Sequence, residues 1–537
     1  MPGRPPSKKP LSRRRVLLAL GYGGVNVALV RSFAETSADT SDVEATSPTA
    51  SSQDTTLPDG AGLEAPPLLD DAVEIVGPDH VFDLVIANGR VIDPESGFDA
   101  IANVGINGSV ITAVSKQALA GTETIDATGR VVSPGFIDVL SSDPNGFGDW
   151  FKIGDGVTTN LCMHGINNYA NAFFNNLEGK TPCHYGGAFH QHFMRGEDEF
   201  LSVQPTEALS PNQIASFQGL ALRNIGDGFA GICFSPEYSP GTSTDELLGL
   251  VAVAQQVGHS CWFHVRFSDP DEPGTSFEAI QEVLDLARVA KVPVHIEHIT
   301  STGGTFVMKE TLELLEAARA EGIDVTACVY PYDYWGTTLA SERFVAGWQD
   351  RYRITFEDLQ IAGTETRLTE ATFAEAQSQN LLVAAHGSIP EDELIMCLQT
   401  PWIMIGSDGI IEATLNNHPR GAGTFSRVLG HYVRDRQVLS LHDAVAKMTI
   451  LPAWRVETMI PAMRRKGRLQ AGADADVVVF DPATIADTAT VAQPAHVGWN
   501  RLCVCDGPRR SPQWRDRPLV AARSGTKERS SRLGRPC

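Results

Sequence analysis

Apolar and polar positions alternate through FDLVIANGRVID (82–93) on either side of an Asn-Gly pair, the pattern of two short strands joined by a tight turn. NVGINGSVITAV (103–114) repeats it, and KGRLQAGADADVVVFDP (466–482) is a further strand pair towards the other end. Strands at both ends of a long body predict a small β-sandwich, built from 72–133 and 464–500, that closes only when the chain returns.

The body has a different rhythm. Short apolar runs begin at 156 (GVTTNLCMHG), 228 (GFAGICFSP), 260 (SCWFHVRF), 292 (VPVHIEHI), 323 (IDVTACVYPY), 381 (LLVAAHGS) and 402 (WIMIGSDG). Helical stretches such as SFEAIQEVLDLARVA (276–290) and KETLELLEAARAEG (309–322) lie between them. Strands alternating with helices of ten to fifteen residues predict a parallel sheet, and this many predict a closed (β/α)8 barrel over 134–463. Residues 340–380 read as a charged, helical insertion after a barrel strand. VVSPGFIDVLSSDPN (131–145) runs from apolar residues into a polar tip of Ser141, Ser142 and Asp143 after Leu140, with no histidine.

The ends of the chain fall outside both patterns. Ser12-Arg13-Arg14-Arg15 precedes an apolar run through Val30 and then Ser32-Phe33-Ala34, so 1–34 reads as an export signal of the twin-arginine type. The run is too short and Gly-rich for a good membrane span, so none is expected once the signal is removed. Residues 35–71, rich in Ser, Thr, Asp and Ala, cannot bury a core and read as a flexible linker. The tail 501–537 holds ten Lys/Arg against three Asp/Glu with little periodicity, and reads as disordered.

Composition narrows the partners. A formal net charge of −22 argues against nucleic acid, and 42% hydrophobic residues describe an ordinary globular protein. Nine scattered cysteines without a repeating CxxC spacing read as buried thiols, because a chain this long needs no disulfide framework.

Four strand tips carry the candidate chemistry: Cys162 and His164, then His264, then His298, then Asp408. The C-terminal ends of barrel strands converge on one mouth, and imidazoles with a carboxylate suit zinc. Each residue alone has a plainer reading, a hydrogen-bonded histidine or a turn aspartate; successive tips in this order favour a site. His295, three positions from His298, falls on the opposite face.

These stretches resemble the amidohydrolase superfamily, and within it the D-aminoacylase (N-acyl-D-amino-acid deacylase) branch. The matching segments are FDLVIANGRVIDPESG, VVSPGFIDV, GVTTN, HVR at 264–266, VPVHIEHI, YPYDYWGTT, IMIGSDG, NNHPRGAGTFSRVLGHYVRD, LSLHDAVAKMTILPA and GADADVVVFDPATIAD. The resemblance implies that His264 and His298 hold a tightly bound metal and that Asp408 shuttles a proton. The family's bridging cysteine falls at His164, with Cys162 two positions earlier, and either can bind zinc. Two departures stand out. The family's first-strand histidine pair is replaced by Leu140 and Ser142, which implies one Zn2+ rather than two. A lysine expected after the IEH histidine is Thr300, leaving Arg266 and Arg420 to hold a substrate carboxylate, and Tyr330 or Tyr332 to steady the oxyanion. The implied activity is hydrolysis of the amide of a small N-acyl-D-amino acid. Its rivals are a cyclic-amide hydrolase, disfavoured by the absence of a lysine at the tip of GVTTNLCMHG, and a non-catalytic exported binding protein, favoured by the lost histidines.

Overall fold

The computed structural model describes residues 77, 79–197, 201–271, 274–412, 418–494 and, as backbone, 501–504. The signal at 1–34, the linker at 35–71 and residues 505–537 of the tail lie outside the described residues.

Eight parallel strands form the barrel, in the order Phe136–Asp138, Val157–Ile166, His184–His190, Ile232–Phe234, Cys261–Phe263, Val294–Ile296, Val325–Val329 and Ile403–Ile405. They are numbered one to eight here in that order. Strands one and eight meet at a seam bridged by two hydrogen bonds from backbone N–H groups and one from the Ser407 hydroxyl to the Leu140 carbonyl. Ser407 N–H donates to Asp138 Oδ1 at 3.0 Å, and Asp408 N–H donates to the Leu140 carbonyl at 2.5 Å. Gly406 permits this approach, because a Cβ there would lie 2.7 Å from that of Leu140. Every residue of the three-residue strands is buried, as expected of a sheet covered on both faces. Ile137, Leu161, Met163, Cys233, Trp262, Cys328 and Met404 fill the interior, while Cys261, Phe263, Val294 and Ile296 pack outward on the helices. Those helices have distinct starts: Thr275 and Glu278 form a reciprocal cap on Ser276–Ala290, and Ser243 caps Thr244–Val257.

The strand assignment needs one exchange. LLVAAHGS, expected in the barrel, forms Leu382–His386 of a separate antiparallel sheet with Tyr334–Thr338 and Leu359–Ile361. Its place is taken by His184–His190, whose HYGGAFH carries too little apolar pattern to be noticed. The insertion is therefore not simply helical. It is a small sheet with short helices Trp348–Tyr352 and Glu370–Ser378 around its own aromatic core of Trp335, Phe344, Trp348 and Tyr352.

Segments from both ends build one seven-stranded mixed sheet. Its path is Arg501–Val504, Val477–Phe480, Val131–Pro134, Val81–Asp93, Phe98–Asn107 and Val110–Ser115, with Ala120–Asp126 also pairing Val81–Asp93. The tail expected to be disordered thus begins with a strand. The Asn-Gly turn expected at 88–89 is a bulge within one continuous strand: Asn88 adopts φ 63° while its N–H donates to Asn103 Oδ1. Gly89 lies so close to Val132 that a Cβ would sit 2.4 Å from the valine methyl. The hairpin predicted at Asn107-Gly108 does form, between Phe98–Asn107 and Val110–Ser115. No helix among the described residues is long and apolar enough to cross a membrane.

Candidate metal centre

The ends of strands two, five and six bring together His164, His264, Glu297 and His298, with one ligand atom from each lying within 4.8 Å of the others. Strand two reaches this point through a break in its pairing with strand three between Cys162 and Ile166. That break settles which of the two candidates points where. His164 joins the cluster, its Nδ1 hydrogen-bonded to Glu297 Oε2. Cys162 does not join it. The thiol is fully buried and donates to the Gly165 carbonyl at 3.2 Å and towards Asp143 Oδ1 at 3.7 Å. Burial, reinforced by Asp143 and Glu297, pushes it well above the ordinary thiol range, so it stays protonated.

Glu297 was not singled out from the sequence, because strand alternation places it and His298 on opposite faces. Regular strand geometry ends at Ile296, however, and His298 takes φ 26°, which turns it to the mouth that Glu297 already faces. The glutamate in HIEHI was the available signal. His295 is where alternation puts it, stacked 4.1 Å from Trp262 and bonded to Thr326 Oγ1.

His264 Nδ1 and His298 Nε2 face each other at 3.2 Å. Two nitrogens each about 2.1 Å from one tetrahedral zinc would be separated by about 3.4 Å, so the pair already has the spacing of co-ligands. Burial lowers both imidazoles below the ordinary histidine range, although Glu237 opposes this at His264 and Asp408 at His298. They are therefore neutral, with lone pairs available for a cation. At His164 burial is outweighed by Glu297, and the imidazole rises to about 9. Three imidazoles and a carboxylate, all but one fully enclosed, form a donor set that fits a divalent metal such as zinc, whose binding would displace the His164 proton.

Asp408 follows strand eight in a left-handed conformation, φ 54°. Its Oδ2 lies 3.8 Å from His298 Nε2 and 2.9 Å from Arg420 Nη1. Burial would raise its carboxyl, but Arg420 and the histidines hold it below the usual range, so it is an ionised base. Arg420 also lies over the Tyr330 ring at 4.9 Å, and that ring is 6.4 Å from His298. The other candidates lie farther out. Arg266 is committed to Glu282 and the Thr242 carbonyl, so it ties strand five to the helix Ser276–Ala290 and is not presented to a substrate. Tyr332 sits beneath Arg427, 5.1 Å from the His418 ring, one layer away from the cluster. Thr300 is fully buried, so that position offers no cation.

Two buried charges were not foreseen. Lys152, on the helix Gly148–Gly154, donates to Asp138 Oδ2 at 2.7 Å, Ser407 Oγ at 2.6 Å and the Gly409 carbonyl at 2.5 Å, directly behind Asp408. Glu237 accepts from His264 Nε2 at 2.5 Å and from Arg343 of the insertion at 3.1 Å. Neither has a sequence pattern of its own, since both depend on loops meeting in space.

Comparison with known proteins shows the family and the fold. Residues 254–507 match the model of the Amidohydrolase family. The chain is 32% identical over 455 residues to the D-aminoacylase of Alcaligenes xylosoxydans xylosoxydans, covering 77% of this chain and 91% of that one. It is 31% identical over 454 residues to the N-acyl-D-glutamate deacylase of the same organism, covering 77% and 90%. Among solved structures, the N-acyl-D-glutamate deacylase of Bordetella bronchiseptica, complexed with zinc and a phosphonate mimic of the tetrahedral intermediate, superimposes with a TM-score of 0.69 at 26% identity. That match spans 82% of this chain and 99% of the other.

Proposed function

Since the chain belongs to the amidohydrolase family, in its D-aminoacylase and N-acyl-D-amino-acid deacylase branch, we propose that it hydrolyses the linear amide of N-acyl-D-amino acids at a metal centre. The observation that carries the reading is the convergence of His164, His264, His298 and Glu297 beside an ionised Asp408. His164, His264 and His298 would hold one zinc ion, with Glu297 as a further donor. Such an ion lowers the pKa of water towards about 7 and polarises the scissile carbonyl.

The chain's own groups account for the remaining steps. Asp408, kept ionised by Arg420, takes a proton from the attacking water and returns it to the departing amine. Its φ of 54° and the hydrogen bond from its N–H to Leu140 aim the carboxylate at the cluster. Tyr330 and the guanidinium above it line the side on which a developing oxyanion and a substrate carboxylate would lie. Leu140 and Ser142, where the resemblance implies a histidine pair, supply no imidazole, which supports a single ion. The basic and then apolar N-terminal segment supports export through a twin-arginine signal.

The test is metal content of the purified full-length protein together with release of free amino acid from a panel of N-acetyl-D-amino acids. Asp408→Asn is expected to abolish turnover while the metal is retained, and full activity in that variant would refute the assigned role. A second reading, an exported binding protein, is favoured by the lost histidine pair, and turnover of none of the panel would select it.

A further inference from the structure

His264 is held from both sides. Its Nδ1 faces His298 at 3.2 Å, while its Nε2 is 2.5 Å from Glu237 Oε2. The other Glu237 oxygen accepts from the Ser268 hydroxyl, and Oε2 also accepts from Arg343 Nε at 3.1 Å. Arg343 extends further: its Nη2 donates to Ser268 Oγ at 3.0 Å and to the Ser301 carbonyl at 2.7 Å, and its guanidinium lies 5.0 Å over the Trp335 ring. Both side chains of the ion pair are nearly inaccessible, at 3% and 9% exposure. A pair this deep offsets its desolvation only when its other donors and acceptors are bonded, and here both Glu237 oxygens and the Nε and Nη2 of Arg343 are. Glu237 is accordingly held down at about 2, burial being outweighed by Arg343 and by the hydrogen bond from His264.

The origins of these residues give the arrangement its meaning. Glu237 follows strand four, Ser268 follows strand five and Ser301 follows strand six, whereas Arg343 lies in the turn Glu342–Phe344 of the insertion. One insertion side chain thus fastens three loops at the barrel mouth, and its anchor is the carboxylate behind a metal-binding imidazole. A carboxylate in that place keeps the ring proton on the far nitrogen, fixes the ring's orientation and makes the near nitrogen a better donor to a cation.

We propose that Glu237 and Arg343 are positioning residues for His264, and that through them the docking of the insertion is coupled to the binding of a divalent metal. The inference rests on the metal-centre reading above. Because such coupling is reciprocal, metal should tighten the insertion by the same factor by which a docked insertion tightens metal.

Zinc affinity of the full chain, measured by competition with a chromophoric chelator, provides the first readout. E237Q keeps the shape and an acceptor but removes the charge, and is expected to weaken zinc about 10- to 100-fold, the range found when such outer partners are lost. R343M, which leaves Glu237 in place, is expected to move affinity in the same direction. Hydrogen exchange over 334–386 provides the second readout. Zinc should increase protection there in the wild type, whereas E237Q, which also lowers metal-free protection by breaking the buried pair, should lose that increment. A merely structural role would lower metal-free protection but leave the zinc increment intact. If R343M does not fold, E237Q decides alone. Unchanged zinc affinity in E237Q overturns this proposal while leaving the metal centre standing. Wild-type protein that takes up no divalent metal overturns both.

Discussion

Replacing Lys152 with methionine isolates the tie behind Asp408. The lysine side chain is 1% exposed and its partner Asp138 is fully buried. Removal leaves the Asp138 carboxylate with two backbone donors, from Leu140 at 3.2 Å and Ser407 at 3.0 Å, and leaves the Gly409 carbonyl and Ser407 hydroxyl without their ammonium donor. Removing one partner of a buried pair costs about 3–5 kcal/mol, whereas replacing both by apolar groups of similar volume is often close to neutral. Lys152→Met should therefore destabilise by about 3–5 kcal/mol, and adding Asp138→Leu should recover part of that loss. Urea unfolding of the two single variants and the double variant measures the coupling. In active protein, kcat should fall with little change in KM, since the tie fixes the Asp408 loop and not the substrate. A loss below about 1 kcal/mol in Lys152→Met would refute the reasoning, because the pair would then behave like an exposed one.

Two further outcomes follow from residues that the structure takes out of the reaction. Arg266→Met should leave kcat/KM within about two-fold and cost about 1–3 kcal/mol through loss of its charged hydrogen bonds to Glu282, as read by steady-state kinetics and urea unfolding. A large rise in KM would return Arg266 to the substrate site. Asp149 is fully buried, and burial raises its carboxyl to about 6 despite hydrogen bonds from Thr181 and Asn160. Its folded-state value lies above the unfolded one of about 3.9, so the folded state holds the extra proton between those values and stability falls as pH rises from about 4 to about 6. The contribution is up to about 3 kcal/mol at 1.36 kcal/mol per unit. Asp149→Asn should remove that part of the pH dependence, and unfolding free energies measured from pH 4 to 7 with the same slope in both proteins would count against it.

The parts legible in the sequence were those that local pattern determines. Four of the barrel strands named from apolar runs, two, five, six and eight, end in residues that meet at one mouth, because a parallel barrel sends every strand end the same way. The misreadings arose where local pattern and long-range pairing disagree. LLVAAHGS is as apolar as a barrel strand, yet it pairs with Tyr334–Thr338 in the insertion, and HYGGAFH occupies the barrel with two glycines and two histidines. Asn88-Gly89 has turn chemistry, but the strand continues through it because Asn103 satisfies the Asn88 N–H. At the site, alternation puts Glu297 on the same inward face as His295 and would turn His298 outward. It is the turn after Ile296, with His298 at φ 26°, that brings His298 to the mouth beside Glu297. Arg343 and Lys152 lay beyond reach: one is 106 residues from Glu237 and the other 255 from Ser407.

The first-strand rim explains why the chemistry lies where it does. Leu140 is fully buried with Ile137, Val139 and Met404, so the position at which the family resemblance implies a histidine is filled by barrel core. The backbone there remains in use, since the Leu140 carbonyl accepts the Asp408 N–H. Asp138, two residues earlier, receives donors from Leu140, Ser407 and Lys152 at once. The end of strand one is thus a structural tie whose positive charge comes from an ammonium rather than from a coordinated ion. Such a tie can orient the Asp408 loop but cannot polarise a carbonyl, because the Lys152 donors are all spent on Asp138, Ser407 and Gly409. On the proposed function, activation of water and carbonyl would fall to a metal ion held by the imidazoles of strands two, five and six. Restoring imidazole at position 140 should not by itself restore a second metal site, because Leu140→His would face the buried interior beside Gly406 while Lys152 still carries the charge. Zinc titration of Leu140→His is expected to give the wild-type stoichiometry, and a gain of one ion per chain would show that the rim had kept its capacity to bind metal.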